Sequence, residues 1–295
     1  MDEVDPILAR FADAHAIDVR DLPEAESDAV RWVLKCADAV DHAYAALPEH
    51  VLEVDVSAGV LWHLLARSDE MTMGAIVALA AKSGSAAEVL SRAAIERAIA
   101  VRFILLDPGR HLAAYFRHHV DDVDAQISKW RSASESLNVS NRRLQVEACD
   151  QRAEANRHMR TFVERLETDL VGASQPVKWP SRIIERFERL DDGVTYRTMY
   201  ARLCSETHFD AEETLRYILG KVSDDSLMER MALETIGFTR LAVAMAVVYH
   251  LRAMCAYTTR YEMQEAAELC RLGVERLDRW VEDLSKHVGG ISTTG

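Results

Sequence analysis

Glycine and proline are scarce in this 295-residue chain, with 12 and 6 residues respectively. Sheet architectures rich in tight turns lean on both, so their scarcity excludes such folds and favours long helices. The five cysteines (36, 149, 204, 255 and 270) are odd in number and contain no Cys-x-x-Cys pair. That excludes a disulfide framework or zinc knuckle and fits reduced thiols. Lysine stands only at 35, 82, 129, 178, 221 and 286, so the basic side chains are mostly arginine. With the abundant alanine, this bias reflects a GC-rich bacterial genome rather than a function. Long apolar runs are missing too. The uncharged stretches Val56–Ala66, Met71–Ala81 and Leu241–Leu251 are each only about half the length a bilayer core demands.

What the chain does have is negative charge, -13 in all. Residues 1–30 carry a large share of it, with nine acids against Arg10 and Arg20. An acidic chain does not advertise a nucleic-acid surface, because phosphate binding is driven by clustered positive charge. The N-terminus is acidic where a signal peptide is basic and then apolar, so a cytoplasmic location without a membrane partner is expected. Apolar residues make up 49%, enough for a buried core without staples.

Helical periodicity runs through almost the whole length. It predicts helices over Pro6–His15, Glu24–Leu47, Val56–Lys82, Ser85–Leu106, Arg110–Leu137 and Arg142–Leu170. Further helices are predicted over Ser181–Leu190, Tyr196–His208, Ala211–Leu219, Met228–Tyr257 and Glu262–His287. Ser85-x-x-Glu88, Asp210-x-x-Glu213 and Ser226-x-x-Glu229 have the spacing of capping boxes. Asp107-Pro108-Gly109, Gly172, Gly193 and Gly289-Gly290 read as stops. No alternating β-branched run competes. The expected fold is all-α, a multi-helix bundle with no β-sheet.

Three segments follow from this pattern. Residues 1–55 form acidic N-terminal helices packed on the core, and 56–260 form the bundle core. Residues 261–295 form a C-terminal helix and a short flexible tail. Within the core, 121–170 is charge-dense and poor in apolar residues, which reads as a projecting helical hairpin.

The helix Ser85–Leu106 is apolar on both sides and therefore central. Arg92 and Glu96 sit four apart on its Ile99–Phe103 stripe, where charged groups must be paired. The run Tyr196–His208 concentrates chemistry: Tyr196, Tyr200, Leu203 and Thr207 share one face, and Arg202, Ser205 and His208 flank the other.

Arg202 followed after five residues by His208 resembles the Arg-x(4–6)-His motif of HEPN ribonucleases, helical-bundle proteins of bacterial toxins and defence systems. The resemblance implies metal-free RNA cleavage across a homodimer. In it, Arg202 neutralises the scissile phosphate and His208 serves as general acid or base. The same spacing recurs at Arg10…His15 and Arg152…His158, and Leu203 stands where such sites carry a polar residue.

A second resemblance covers about 57–260. Ser91-Arg92-Ala93-Ala94-Ile95-Glu96, Phe103 to Pro108, Arg110, Tyr115 and Tyr196…Tyr200…Ser205…His208 are similar to a widespread bacterial domain family of unknown function. It implies an all-helical, HEPN-related fold.

Other constellations are missing: no His-Glu-x-x-His, Walker loop, Gly-x-Ser-x-Gly elbow or Glu-x-x-His occurs. His118-His119 and Asp121-Asp122 read as solvated side chains, so no metal or other cofactor is expected.

Two functions compete. One is a metal-independent ribonuclease of a toxin or defence system, with Arg202 and His208 catalytic and RNA as substrate. The other is a non-catalytic helical interaction protein, whose Arg92, Glu96, Tyr196, Tyr200 and Ser205 form a structural polar cluster with His208. Its partners are a second copy of the chain or a protein bound through the acidic N-terminus.

Overall fold

A computed structural model describes residues 5–49, 51, 55–172, 176–206, 215, 218–219 and 225–288. Every regular element among them is helical, and together they form an all-α bundle. The elements are α1 (Pro6–His15), α2 (Glu24–Ala45), α3 (Val56–Ala80), α4 (Gly84–Ile104), α5 (Pro108–Ser134), α6 (Val139–Val171) and α7 (Ile183–Arg189). A helical turn at Gly193–Thr195, a π-turn at Tyr196–Tyr200 and α8 (Ala201–Glu206) follow without a break. Finally come α9 (Asp225–Arg260) and α10 (Gln264–Val288).

Local chemistry accounts for most boundaries. Asp5 caps α1 by accepting the Ile7 N–H at 2.9 Å, with Pro6 at the first helical position. Asp55 caps α3 through the Ser57 N–H, and Asn138 caps α6 through the Asn141 N–H. Gly172, with φ 57°, ends α6 where only glycine is unstrained.

Several predicted signals fall differently. Ser85 lies inside α4 rather than before it, and Glu88 is buried, accepting the Thr239 hydroxyl at 2.5 Å. Ser226 likewise lies inside α9. Gly193 starts a helical turn instead of ending one, because Asp191 (φ 57°) already occupies the left-handed position after α7. Asp107-Pro108 opens α5, with proline at its first position. Asp210, Glu213 and Gly289-Gly290 lie outside the described residues, as does most of the predicted helix 211–219.

The chain divides into two units, 1–102 with 183–295, and 103–182. The first is built on α9, which packs along α10, α3 and α2, while α10 also packs on α2. From Ala242 to Leu251 every residue of α9 is buried, so this stretch touches bundle on all sides. Among the described residues α9 is the one helix long and apolar enough to cross a membrane, over Met228–Arg260. Its uncharged run is short, but the continuous helix extends the apolar window past both ends. In the fold 56% of that window is buried.

The second unit is the α5–α6 hairpin with the segment that follows it. Its apolar seam is thin, with Val123, Ile127 and Cys149 at its centre. Polar cross-links do much of the joining. Asn156, fully buried, donates to the Val120 carbonyl at 2.9 Å and to Asp124 at 2.6 Å. Arg160 bridges Asp121 and Asp124, each at 2.7 Å. A Cβ on Gly109 would meet the Leu170 carbonyl at 2.9 Å, so glycine there is a packing requirement.

Candidate functional site

Helix α4 presents Arg92 and Glu96 one turn apart, and Arg92 Nε donates to Glu96 Oε1 at 2.9 Å. The π-turn brings Tyr200 to the same atom: its hydroxyl donates to Glu96 Oε1. The Arg92 guanidinium also lies 6.0 Å from the centre of the Tyr200 ring. One carboxylate oxygen therefore gathers a guanidinium and a phenol from elements 104 residues apart.

The electrostatics fix both donors in their ordinary protonation states. Burial, then the bond to Glu96, drives the Tyr200 hydroxyl far above the usual phenol range. Burial alone would lower the Arg92 value, but bonds to Tyr200 and Glu96 raise it, so the guanidinium stays charged. The Cys204 thiol beside them is pushed up by burial against the pull of Arg92, which is opposite to an activated thiolate.

Around this centre lies an aromatic packing group. Tyr200 and Leu203 are fully buried, and Tyr196 stacks on Tyr200 with ring centres 5.5 Å apart. Phe187 of α7 packs against Tyr196, Tyr200 and Tyr249. Tyr196 contributes a ring at the edge of the cluster, not its centre. Arg202 faces elsewhere: it pairs with Glu234 of α9 at 3.3 Å, and its guanidinium lies 3.9 Å over the Phe238 ring. The predicted helix 196–208 is thus a π-turn followed by α8. Ser205 lies on α8, and His208, the other half of the predicted Arg202…His208 pair, lies outside the described residues.

Sequence reasoning missed three polar centres. Glu26, with no exposure, binds Arg240 bidentately at 2.7 and 3.1 Å across 214 residues. Arg102 pairs with Asp192 at 2.9 Å beside the buried Tyr249 ring. His250, also fully buried, meets Ser68 Oγ at 3.1 Å through Nδ1 and Asp69 Oδ1 at 3.3 Å through Nε2.

The order serine–histidine–aspartate invites comparison with a hydrolytic triad. Ser68 is fully buried, however, and its hydroxyl also faces the Ala94 carbonyl at 3.5 Å, leaving no face for a substrate. The signal that could have found this group is a histidine inside the uncharged run Leu241–Leu251. Among the described residues no cluster of three or more histidine, cysteine or acidic side chains could hold a metal ion. His118 simply pairs with Asp122 one turn away, at 3.3 Å.

A family model matches residues 59–226, over half the chain. The chain belongs to DUF5677, a family of unknown function. The DUF5677 match includes α3, α4, the hairpin and the π-turn, so the Arg92–Glu96–Tyr200 contact lies wholly inside it. It ends at 226 rather than near 260, leaving Arg240, Tyr249 and His250 beyond it. No curated protein and no solved structure matches the chain.

Proposed function

We propose that this DUF5677 protein is a cytoplasmic, non-catalytic helical interaction protein, with the Arg92–Glu96–Tyr200 cluster holding the π-turn and α8 on the bundle. The carrying observation is that Arg92 Nε and the Tyr200 hydroxyl both donate to one oxygen of Glu96. Groups paired in this way, and titrating far from neutrality, are poor acids and bases at pH 7. The first half of α9 supports the interaction role. Leu233 and Ile236 are 61% and 57% exposed three residues apart, an apolar face suited to a protein partner or a second copy of this chain.

A second reading, an HEPN-like metal-independent ribonuclease of a bacterial toxin or defence system, has one observation in its favour. The π-turn runs directly into Arg202, and such turns recur at functional sites. In that reading Arg202 grips the RNA phosphate and His208 moves the proton. The two readings separate when purified protein is incubated with total RNA in EDTA, beside Arg202→Ala and His208→Ala. The interaction reading expects intact RNA in all three. Cleavage by the wild type that both substitutions abolish would establish the ribonuclease instead.

A further inference from the structure

A cavity of about 620 Å³ opens where the start of α2 meets α9 and α10. In a chain of net charge -13 its wall is unusual: Arg31, Arg240, Arg276 and Arg279 all line it. Three of them are held by carboxylates. Arg240 is gripped by the fully buried Glu26, Arg276 by Asp28 at 2.9 Å, and Arg31 by Asp5 at 2.7 Å. Such pairing orients a guanidinium and leaves other N–H groups of its five free to meet a ligand. Arg279 has no carboxylate partner among the described residues, and its Nε reaches only the Glu275 carbonyl of its own helix, at 3.4 Å.

One further donor group points the same way. Helix α2 begins after Pro23 with no side-chain cap, and its first residues, Glu24 and Ala25, line the cavity. Uncapped first-turn N–H groups carry partial positive charge and bind anions. The remaining wall charges are Glu24, Asp28 and Asp283, of which Asp28 holds Arg276 and Asp283 holds Lys286 at 2.9 Å.

We propose that this cavity binds a small phosphate-bearing molecule, its phosphate seated between Arg276, Arg279 and the first turn of α2. Guanidinium forks and a helix start match the oxygens of phosphate, and the volume falls in the range of small-molecule sites. The site shares no residue with the Arg92–Glu96–Tyr200 cluster, so its failure and the failure of the function proposed above are separate results.

Titration calorimetry of the full chain with inorganic pyrophosphate, in low salt, tests it. Binding should be saturable, and the double variant Arg276→Gln/Arg279→Gln should weaken it by at least about tenfold, the equivalent of one charge-assisted hydrogen bond. The melting temperature of that variant should stay close to that of the wild type, because both side chains are exposed. Absence of binding, a smaller loss in the double variant, or equally tight binding of citrate would overturn the proposal.

Discussion

Tyr200 and Glu96 show what one hydrogen bond accomplishes when both ends are packed into a bundle. Tyr200→Phe keeps the ring contacts with Phe187 and Tyr196 and deletes the hydroxyl that donates to Glu96 and also meets Arg92. We expect it to cost about 2 kcal/mol of unfolding free energy, the range for a bond to a charged acceptor, measured by urea denaturation. Arg240→Ala should cost more, about 3 kcal/mol, because it leaves Glu26 charged and buried without its partner. Glu26→Gln combined with Arg240→Met should recover much of that loss. A double variant as unstable as Arg240→Ala alone would show that the damage is not an orphaned charge. The arginine–glutamate spacing of α4 was legible in the sequence, since i and i+4 on an apolar stripe force a pair. The Glu26–Arg240 contact was not, because no periodicity links residues 214 positions apart.

The helices themselves were readable nearly throughout, because a 3.6-residue repeat survives any ambiguity at the ends. The ends were read less well. Ser85 looked like a cap, yet Glu88 is drawn inward by Thr239 and α4 starts earlier. The π-turn at Tyr196–Tyr200 was invisible, since one extra residue in a turn leaves no mark on composition. The α5–α6 hairpin gives the element-scale prediction. The buried Asn156, followed by Arg160, pulls the Asp124 carboxyl below its usual range. A depressed folded-state value means this contribution is present above the unfolded value of about 4 and fades as pH falls below it. Asn156→Ala should therefore lower the protection factors of amides across α5 and α6 at neutral pH and flatten their decline on acidification. Unchanged exchange would remove Asn156 from the account of how the hairpin is joined.

Over the whole molecule, four of the nine acids near the N-terminus are paired with arginines. Asp5, Asp18, Glu26 and Asp28 each hold one. Part of the charge in the first thirty residues, at Asp5, Glu26 and Asp28, thus serves packing, a use that net charge alone does not reveal. At the alkaline end the buried tyrosines take over. Burial pushes Tyr249 up to about 12 and moves Tyr200 and Tyr257 in the same direction. Raised folded-state values mean their contribution is complete below the unfolded value near 10 and is lost as pH climbs from about 10 toward 12. Tyrosinate absorbance should accordingly include a late component that rises only together with loss of helical circular dichroism. Early, independent titration of all the tyrosines would contradict the burial.

The claim that the Arg92–Glu96–Tyr200 cluster is a structural clamp is tested most directly by a double-mutant cycle on stability. It combines Tyr200→Phe with Glu96→Ala, with unfolding free energies measured for all four proteins. A clamp predicts a coupling of about 1 to 2 kcal/mol, because the two side chains share one bond. Additive effects, with coupling near zero, would contradict it.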